Sequence, residues 1–432
     1  MTEPTDPFVA LAEAVRANDI GRATDLLQSN PHLGSKLNDP APGGAFGGTV
    51  LMPAVRWQNR EMIDLLLSHG ADINGRSDWW AGSFGVLDSC EPGFATFLIE
   101  RGAKADAHAA ARLGMLETLQ ELVSANPDIV HARGGDGQTP LHFASTVGIA
   151  NYLLDHAAEI DARDIDHEST PAQYMIRDRQ EVAHYLISRG AGTDIMMAAA
   201  LGNIGLVRKH LDDTPASIHT TVSPQYFPMT DPRAGGTIYN WTLGGNKSPH
   251  VVAREFGHED VFRLLMERSS AELKLALACE LGDEDAFKSL LEQRPDLAQT
   301  LSHAERRKLA EAAENNNVNA VRLMLAAGWP VDARGDLDGT PLHFASWLGN
   351  VEMVRDLLAH GAPVNVRGDN YNMTPLGWAL HGSEHSWRKD AGDYAATVQA
   401  LLEAGAERSQ LADDSGVSEA VRDVIRRYST IS

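Results

Sequence analysis

Acidic side chains and a histidine are concentrated in one short segment, DARDIDHEST, which leads into a Thr-Pro pair. The segment contains Asp164, Asp166, His167 and Glu168. A carboxylate and an imidazole can exchange protons with a substrate that lies within hydrogen-bonding distance. Asp166 and His167 are therefore weak candidates for acid/base catalysis. The alternative is that these residues only form a turn, which is a common use of Asp in loops.

A longer segment, residues 219–247, combines aromatic residues with glycine and proline. Its aromatic residues are Tyr226, Phe227, Tyr239 and Trp241. Disordered loops contain few such residues, so we expect this segment to be ordered. The run TIYNW favours a strand and LGGN favours a tight turn, which together predict an extended, hairpin-like insertion. Arg233 and Lys247 could hold an anionic ligand group there. The alternative is an aromatic plug that only stabilises the loop.

Further aromatic residues lie at comparable places along the chain. They are Trp79 and Trp80 in SDWWAGSFG, and Tyr174, Trp347 and Trp378 in helical segments. Ring faces of this kind stack on sugars, on aromatic ligands or on peptide side chains. With Tyr226, Tyr239 and Trp241 they are the candidate ligand-binding residues, although core packing is an alternative for each of them.

Metal and cofactor sites are not expected. His381 and His385 have the spacing of two ligands on one helix face, but the intervening Gly-Ser predicts that residues 381–394 are a loop between two helices. The two cysteines, Cys90 and Cys279, lie too far apart in the sequence for a disulfide framework or a cysteine-rich zinc site. No glycine-rich phosphate loop is present.

Composition limits the possible partners. The 432 residues carry a net charge of -22, which disfavours nucleic acid. No apolar run is long enough to span a membrane, and the N-terminus lacks the pattern of a secretory signal. We therefore expect a cytoplasmic protein. The predominance of Arg over Lys indicates a bacterial source.

One sequence unit recurs along the chain. DGQTPLHFASTVG begins at Asp136 and returns as DGTPLHFASWLG at Asp338. Weaker copies include STPAQYMI, KSPHVVAREFG and MTPLGWAL, and many are followed by an apolar helix that ends in Gly-Ala. The Thr of each Thr-Pro pair can cap a helix whose first turn tolerates the proline, and glycine can end the second helix. The unit is therefore a helix pair that must stack on its neighbours.

At these motifs the sequence resembles the ankyrin-repeat family, in a bacterial-type array with enlarged fingers. The resemblance covers nearly the whole chain. It implies an all-α solenoid of about twelve helix pairs over residues 1–432, with a C-terminal cap at 407–432. It further implies that His142 and His343 join one repeat to the next by hydrogen bonds. Residues 219–247 then form an enlarged finger between two pairs, and 381–394 form an insertion within a pair.

His250 departs from the repeat pattern. Ser248 and Pro249 occupy the capping and first-turn positions, but His250 takes a position that a buried leucine normally holds. It is either a hydrogen-bonded filler of the core or part of a site beneath the enlarged finger.

The resemblance implies a recognition scaffold. In ankyrin stacks the fingers and first helices line a concave face, which would bind a protein or a small-molecule ligand. The alternative is an enzyme that acts on a small polar molecule, a carbohydrate or a hydroxylated aromatic, beneath residues 219–247. Asp166, His167, Tyr239 and His250 would be its weak catalytic candidates.

Overall fold

Short antiparallel helices make up the protein. The computed structural model describes residues 6–368, 372–407 and 416–429, and no strand occurs within these ranges. The all-α ankyrin architecture is confirmed. The expected C-terminal cap is described at residue 407 and from 416 to 429, and its other residues lie outside the described ranges.

The α-helices follow one another with short connections, and most form successive pairs. In chain order they are α1 (Pro7–Arg16), α2 (Ile20–Ser29), α3 (Leu51–Arg56), α4 (Arg60–Ser68), α5 (Val86–Ser89), α6 (Pro92–Ile99), α7 (Ala107–Leu113), α8 (Leu116–Ala125), α9 (Val147–Asp155), α10 (Pro171–Met175), α11 (Gln180–Ser188), α12 (Ile195–Ala200), α13 (Ile204–Asp213), α14 (Tyr239–Thr242), α15 (Pro249–Glu255), α16 (Glu259–Arg268), α17 (Ala271–Leu281), α18 (Glu284–Gln293), α19 (His303–Glu314), α20 (Val318–Ala326), α21 (Pro341–Trp347), α22 (Val351–Ala359), α23 (Pro375–His385), α24 (Tyr394–Glu403) and α25 (Glu419–Ser429). Short 3-10 helices occur at Pro31–Lys36, Ala45–Gly47, Pro127–His131, Gly135–Gly137, Pro140–Phe143, Pro215–His219, Leu297–Gln299 and Asp336–Asp338.

Two compact units emerge from the contacts between these helices. The first unit contains the described residues up to 197 together with 227–243, and the second contains 198–226 and the described residues from 244 onward. The middle of the predicted finger insertion therefore packs with the repeats that precede it in the sequence.

Polar caps explain where the helices begin. In many pairs an Asn or Asp accepts a hydrogen bond from the backbone N–H three residues later, at the start of the second helix. These caps are Asp19, Asn59, Asn203, Asp283, Asn317, Asn350 and Asp393. At the first helix of a later pair, Thr374 accepts from the Gly377 N–H at 3.3 Å. Each cap satisfies a donor that the helix itself leaves without a partner.

Packing differs between the two helices of a pair. In α7 every residue from Ala107 to Ala111 is buried, whereas α2 buries only Ala23 and Leu27. Burying a leucine side chain stabilises the fold by about 2 kcal/mol. Because the apolar face of one pair is covered by the next, the stack rather than the single pair supplies the core.

A buried histidine joins consecutive repeats, as the resemblance implies. His142 Nδ1 accepts from the Thr139 N–H at 3.1 Å, and its Nε2 donates to the Ser169 carbonyl of the next repeat at 3.1 Å. His343 repeats this geometry with the Met373 carbonyl. Burial lowers the pKa of His142 to about 3 and that of His343 to about 4. Both imidazoles are therefore neutral at physiological pH, with their protons fixed on Nε2.

The predicted strand TIYNW is wrong. Its residues enter α14, a single helical turn in which Thr242 N–H donates to Ile238 O at 3.0 Å and Leu243 N–H donates to Tyr239 O at 2.8 Å. A strand needs a neighbouring strand to satisfy its backbone groups, and none is present within the described residues. The helical turn satisfies these groups locally.

The two ends of the insertion do pair with each other. The Val222 N–H donates to the Lys247 carbonyl at 3.1 Å, and the Asn246 N–H donates to the Val222 carbonyl at 2.8 Å. The hairpin-like character is therefore confined to this base.

The prediction that residues 381–394 are wholly a loop is also wrong, because α23 continues through His385. Gly382 is required there by close packing, since a Cβ would lie 2.5 Å from the Trp347 carbonyl oxygen. Ser383 donates to the Leu380 carbonyl at 2.7 Å and so does not interrupt the helix. The loop is confined to the residues that follow His385.

His250 is a hydrogen-bonded filler of the core. It is fully buried, and its Nε2 lies 2.8 Å from Ser269 Oγ, which itself donates to the Leu265 carbonyl. Because the Ser269 proton is already used, His250 Nε2 must be the donor. Burial lowers the pKa of His250 to about 3, and the positive charges of Lys308 and His219 act in the same direction. The expectation that His250 is catalytic is not supported by this position.

His250→Leu should make the protein less sensitive to acid. The unfolded histidine titrates near ~6.5, so below that pH the unfolded state binds a proton that the folded state does not. The free energy of unfolding therefore decreases as the pH falls, and the contribution of this histidine to the decrease is about 2 kcal/mol at pH 5. Thermal denaturation at pH 7 and pH 5 should show a smaller decrease in Tm for His250→Leu than for the wild type.

The exposed His360→Leu is the control for this experiment. It should keep the pH dependence of the wild type, and equal decreases in Tm for all three proteins would contradict a depressed pKa at His250.

Candidate functional site

Fingertips of successive repeats meet in the first unit. The Asp136 carbonyl accepts from the N–H groups of Ile165 at 2.8 Å and Asp166 at 3.1 Å. These bonds bring the Asp136 carboxylate to the side chains of Asp166 and His167. The distance from His167 Nε2 is 3.9 Å to Asp136 Oδ2 and 3.7 Å to Asp166 Oδ2. We call Asp136, Asp166 and His167 the fingertip cluster.

Asp164 forms a turn rather than joining this cluster. One carboxylate oxygen accepts from the His167 N–H at 2.8 Å and from the Tyr174 hydroxyl at 3.0 Å, and the other accepts from the Ser169 N–H at 2.7 Å. Burial raises the pKa of Asp164 despite these bonds. Asp164 is therefore a turn-forming residue, which was the alternative to a role in catalysis. The Tyr174 hydroxyl stabilises the same turn.

The insertion covers the fingertip cluster. His167 Nδ1 donates to the Gly236 carbonyl at 2.8 Å, and the Gly235 N–H donates to Asp166 Oδ1 at 3.1 Å. The Trp241 ring lies 4.7 Å from the imidazole, centroid to centroid, and its outer part remains exposed. Glu168 accepts from the backbone N–H of Thr230 at 2.7 Å. Asp166, His167 and Trp241, which were separate candidates from the sequence, thus lie at one place in the structure.

Asp136 is the member of this cluster that the sequence analysis missed. It lies in the best-matched repeat, where an acidic residue resembles an ordinary turn former. Trp79 Nε1 donates to Asp136 Oδ1 at 3.0 Å, and burial raises the pKa of Asp136 to about 6. Its φ of 55° lies in the left-handed region, which is uncommon for a residue other than glycine. That signal depends on the fold and is not visible in the sequence.

The remaining candidates in the first unit serve packing. Trp79 packs edge-on against Phe46 with centroids 5.0 Å apart, and the Arg233 guanidinium lies 4.3 Å from the centre of the Trp80 ring. Arg233 also pairs with Asp231 at 2.7 Å, which holds the pKa of that carboxyl at about 2. Arg233 is therefore already paired rather than available as a separate anion-binding group.

Tyr239 is a core residue, contrary to the expectation that it binds ligand. Its side chain is fully buried, its hydroxyl donates to Asp194 Oδ2 at 2.7 Å, and Phe227 packs edge-on against its ring. Tyr239 therefore stabilises the insertion as an aromatic plug, which was the alternative to ligand binding.

A charged cluster lies in the second unit. Lys308 Nζ lies 2.8 Å from Glu311 Oε2, although neither atom makes a hydrogen bond of good geometry. Burial opposes the charged ammonium, yet the carboxylates of Glu311 and Glu280 raise the pKa of Lys308 above its usual value. Tyr226 lines a neighbouring cavity of only about 10 Å³, which holds at most one water molecule. A cleft of about 740 Å³ borders the other side of Lys308 and includes Lys247, which is paired with Glu255.

A second cleft in this unit is aromatic. It measures about 610 Å³ and is lined by Glu314, Leu337, Phe344, Trp347, Leu348, Met373, Trp378, His381 and Trp387. Trp378 packs edge-on against Phe344, with centroids 5.4 Å apart, and lies 6.4 Å from Trp347 at 77°. We call this the aromatic cleft. Trp347 and Trp378 are candidates from the sequence, and Trp378 is buried, as the core-packing alternative has it. Leu337 and Trp387 were missed because they lie in a turn and an insertion.

Glu314 is the carboxyl group of the aromatic cleft. Asn246 Nδ2 donates to Glu314 Oε2 at 2.7 Å. Burial raises the pKa of Glu314 to about 7, and the charges of Asp336 and Glu311 add to this effect. Glu314 therefore changes its protonation state near neutral pH.

Comparison with known proteins identifies the family. The sequence matches the family described as ankyrin repeats (3 copies) over residues 107–199, 275–368 and 309–410, which together cover more than half of the chain. The chain belongs to the ankyrin-repeat family. It is also 28% identical over 107 residues to the ankyrin repeat and SAM domain-containing protein 6 of Mus musculus. That match covers 24% of this chain and 12% of the mouse protein.

The family gives a general function. Ankyrin repeats are generally protein-interaction scaffolds. Within the described part of the chain, no helix has both the length and the apolar character needed to cross a membrane.

Tyr239→Phe should loosen the insertion in the first unit. The variant removes the donor to Asp194 Oδ2, which then keeps the contact with Gln173 Nε2 at 3.1 Å, while Oδ1 still accepts from the Met197 N–H. Losing one partner of a buried hydrogen bond costs about 1–3 kcal/mol. Limited proteolysis should therefore cleave residues 227–243 faster than in the wild type. Tyr226→Phe, in the part of the insertion that packs in the second unit, is the control, and equal cleavage of both variants would contradict this role for Tyr239.

Glu314→Gln should change how stability depends on pH. The carboxyl titrates near its usual value of 4.5 when unfolded and at about 7 when folded, so between these values the folded state binds more protons. Stability therefore falls as the pH rises through this window, by about 2 kcal/mol once partial exposure is allowed for. Glu314→Gln should match the wild-type Tm at pH 5 and exceed it at pH 8.

The exposed Glu384→Gln on α23 is the control for Glu314→Gln. A Tm for Glu314→Gln that follows the wild type at both pH values would contradict the raised pKa.

Proposed function

We propose that this protein is a recognition scaffold that binds a protein partner at the aromatic cleft of the second unit. The family supports protein binding in general, and the cleft supports this particular place. Its volume of about 610 Å³ lies within the range of ligand pockets, about 300–1,000 Å³.

Two exposed apolar side chains carry this proposal. Trp387 is 74% exposed and Leu337 is 43% exposed, and both border the aromatic cleft. Large apolar groups gathered at a concave surface mark interaction sites, because water covers them only at a free-energy cost. Tryptophan also dominates the binding energy of many protein interfaces.

The cleft is built from the elements that were expected to bind. Leu337 comes from a finger, Phe344 and Trp347 come from the first helix α21, and Trp378 comes from the first helix α23. Trp387 follows α23 in the insertion. A partner at this cleft would therefore touch fingers and first helices, the elements to which the sequence assigned a concave binding face.

Charge indicates the chemistry of the partner. The net charge of -22 favours a basic segment over an acidic one. The partly exposed Trp347 ring, with Leu337 and Trp387 beside it, would receive a large apolar side chain of that segment. The proposed partner is therefore a basic protein segment with an apolar anchor residue.

The enzyme alternative has less support. Tyr239 is buried, and Tyr226 borders a cavity of about 10 Å³ rather than a substrate-sized pocket. Trp241 does meet His167, but the arrangement of His167 with Asp136 and Asp166 agrees better with a metal site. A small-molecule ligand in the cleft, a bacterial source and a cytoplasmic location stay predictions from sequence.

A peptide-display selection tests this proposal. The immobilised wild-type chain should enrich basic peptides with a large apolar residue, and Trp347→Ala or Leu337→Asp should weaken their binding at least ~10-fold. Trp57→Ala is the matched control, because Trp57 is an exposed tryptophan of the first unit. The proposal fails if no peptide is enriched, or if the enriched peptides bind both cleft variants as tightly as the wild type.

A further inference from the structure

We propose that the fingertip cluster of the first unit binds a divalent transition-metal ion of the zinc type. Asp136, Asp166 and His167 each offer one ligand atom, and these atoms all lie within 4.8 Å of one another. This proposal replaces the expectation from sequence that the chain has no metal site.

The hydrogen bond of the imidazole prepares it as a ligand. Because the Gly236 carbonyl can only accept, the proton of the neutral ring stands on Nδ1. The lone pair of His167 Nε2 is then directed at the two carboxylates. His167 is only 7% exposed, and its Nε2 makes no hydrogen bond with the described residues. In this tautomer Nε2 offers a lone pair 3.7 and 3.9 Å from two carboxylate oxygens, and a cation between the three atoms would be bound by all of them.

The carboxylates are held in the same manner. Trp79 Nε1 donates to Asp136 Oδ1, and the Gly235 N–H donates to Asp166 Oδ1. Each contact fixes the outer oxygen and leaves Oδ2 facing His167 Nε2. All three side chains therefore carry an outer hydrogen bond on the atom that faces away from the cluster, as metal ligands in proteins usually do.

The ligand set selects the kind of metal. One imidazole nitrogen and two carboxylate oxygens suit Zn²⁺ and similar ions, whereas Ca²⁺ and Mg²⁺ prefer oxygen ligands alone. Ligands about 2.1 Å from Zn²⁺ lie about 3.4 Å apart in a tetrahedron. The two oxygens lie 3.7 and 3.9 Å from Nε2, and all three atoms lie within 4.8 Å of one another, so binding requires the side chains to move inward.

Metal binding would connect the insertion to the repeats. Gly235 and Gly236 belong to the insertion, while the three ligands belong to two fingertips. Gly235 is suited to this contact, since a Cβ there would lie 3.3 Å from both Asp166 Oδ2 and His167 Cε1. The ion would thus hold the insertion in contact with the repeats of the first unit. The Trp241 ring lies beside the His167 ligand.

Metal titration of the full chain tests the proposal. After treatment with a chelator and its removal, calorimetry should show one Zn²⁺ bound per chain, and Co²⁺ should produce the visible absorption bands of a tetrahedral site. Zn²⁺ should also raise the Tm, because it binds the native state. His167→Gln and Asp166→Asn should abolish these effects. Trp79→Phe removes the hydrogen bond to Asp136 Oδ1 and keeps an aromatic ring beside Phe46, and it should weaken binding about 10-fold or more.

The matched control is the double variant His381→Ala/His385→Ala. These two imidazoles lie close together, with centroids 4.3 Å apart, and their loss should leave Zn²⁺ binding unchanged. The proposal is overturned if the wild type binds no Zn²⁺ or Co²⁺, or if binding is lost in the double variant and kept in His167→Gln. If His167→Gln fails to fold by circular dichroism, Trp79→Phe decides, and unchanged affinity in that variant overturns the proposal.

Discussion

The hydrogen bond from a buried, neutral histidine to the next repeat sets the geometry of both candidate sites. His142 binds the carbonyl of Ser169 and His343 binds that of Met373. Each bond fixes the distance between one finger and the following finger. A charged imidazole would be costly in the same place, because burial opposes its protonation. The spacing of the fingers, and with it the contact of their tips, depends on this neutral state.

The two well-matched repeats place different chemistry on one backbone conformation. Gly134 N–H bonds Gln138 O in one turn and Gly335 N–H bonds Gly339 O in the other, and the residue two positions after each of these glycines has φ near 55°. That residue is Asp136 in the first unit and Leu337 in the second. The shared fingertip position therefore carries a carboxylate in the first unit and an apolar side chain in the second. The repeat fixes the position of the fingertip side chain. The residue type at that position decides which partner the side chain can bind.

Local signals made much of the fold predictable, and long-range contacts limited the rest. Thr-Pro pairs mark where helices begin and glycines mark where they end, and each signal depends on only a few neighbouring residues. The helix pairs could therefore be predicted. The strand TIYNW could not be excluded, because its neighbours in space, such as Ser169, are distant in sequence. For the same reason Asp166 and His167 could be suspected alone, whereas Asp136 and Trp79 could not be joined to them. The extension of α23 through Gly382 likewise depends on close packing against Trp347.

Aromatic residues in the insertions have opposite roles, and exposure together with hydrogen bonding separates them. Tyr239 is fully buried and its hydroxyl is bound by Asp194, so its ring has no face left for a ligand. Trp387 keeps most of its surface in water beside a cleft of about 610 Å³. The sequence alone cannot separate these two roles, because an aromatic ring is equally suited to filling a core and to binding a partner. A ring that fills the core makes all of its contacts within its own chain. A ring at a binding surface stays exposed to water, and a partner that buries this apolar surface would be bound favourably.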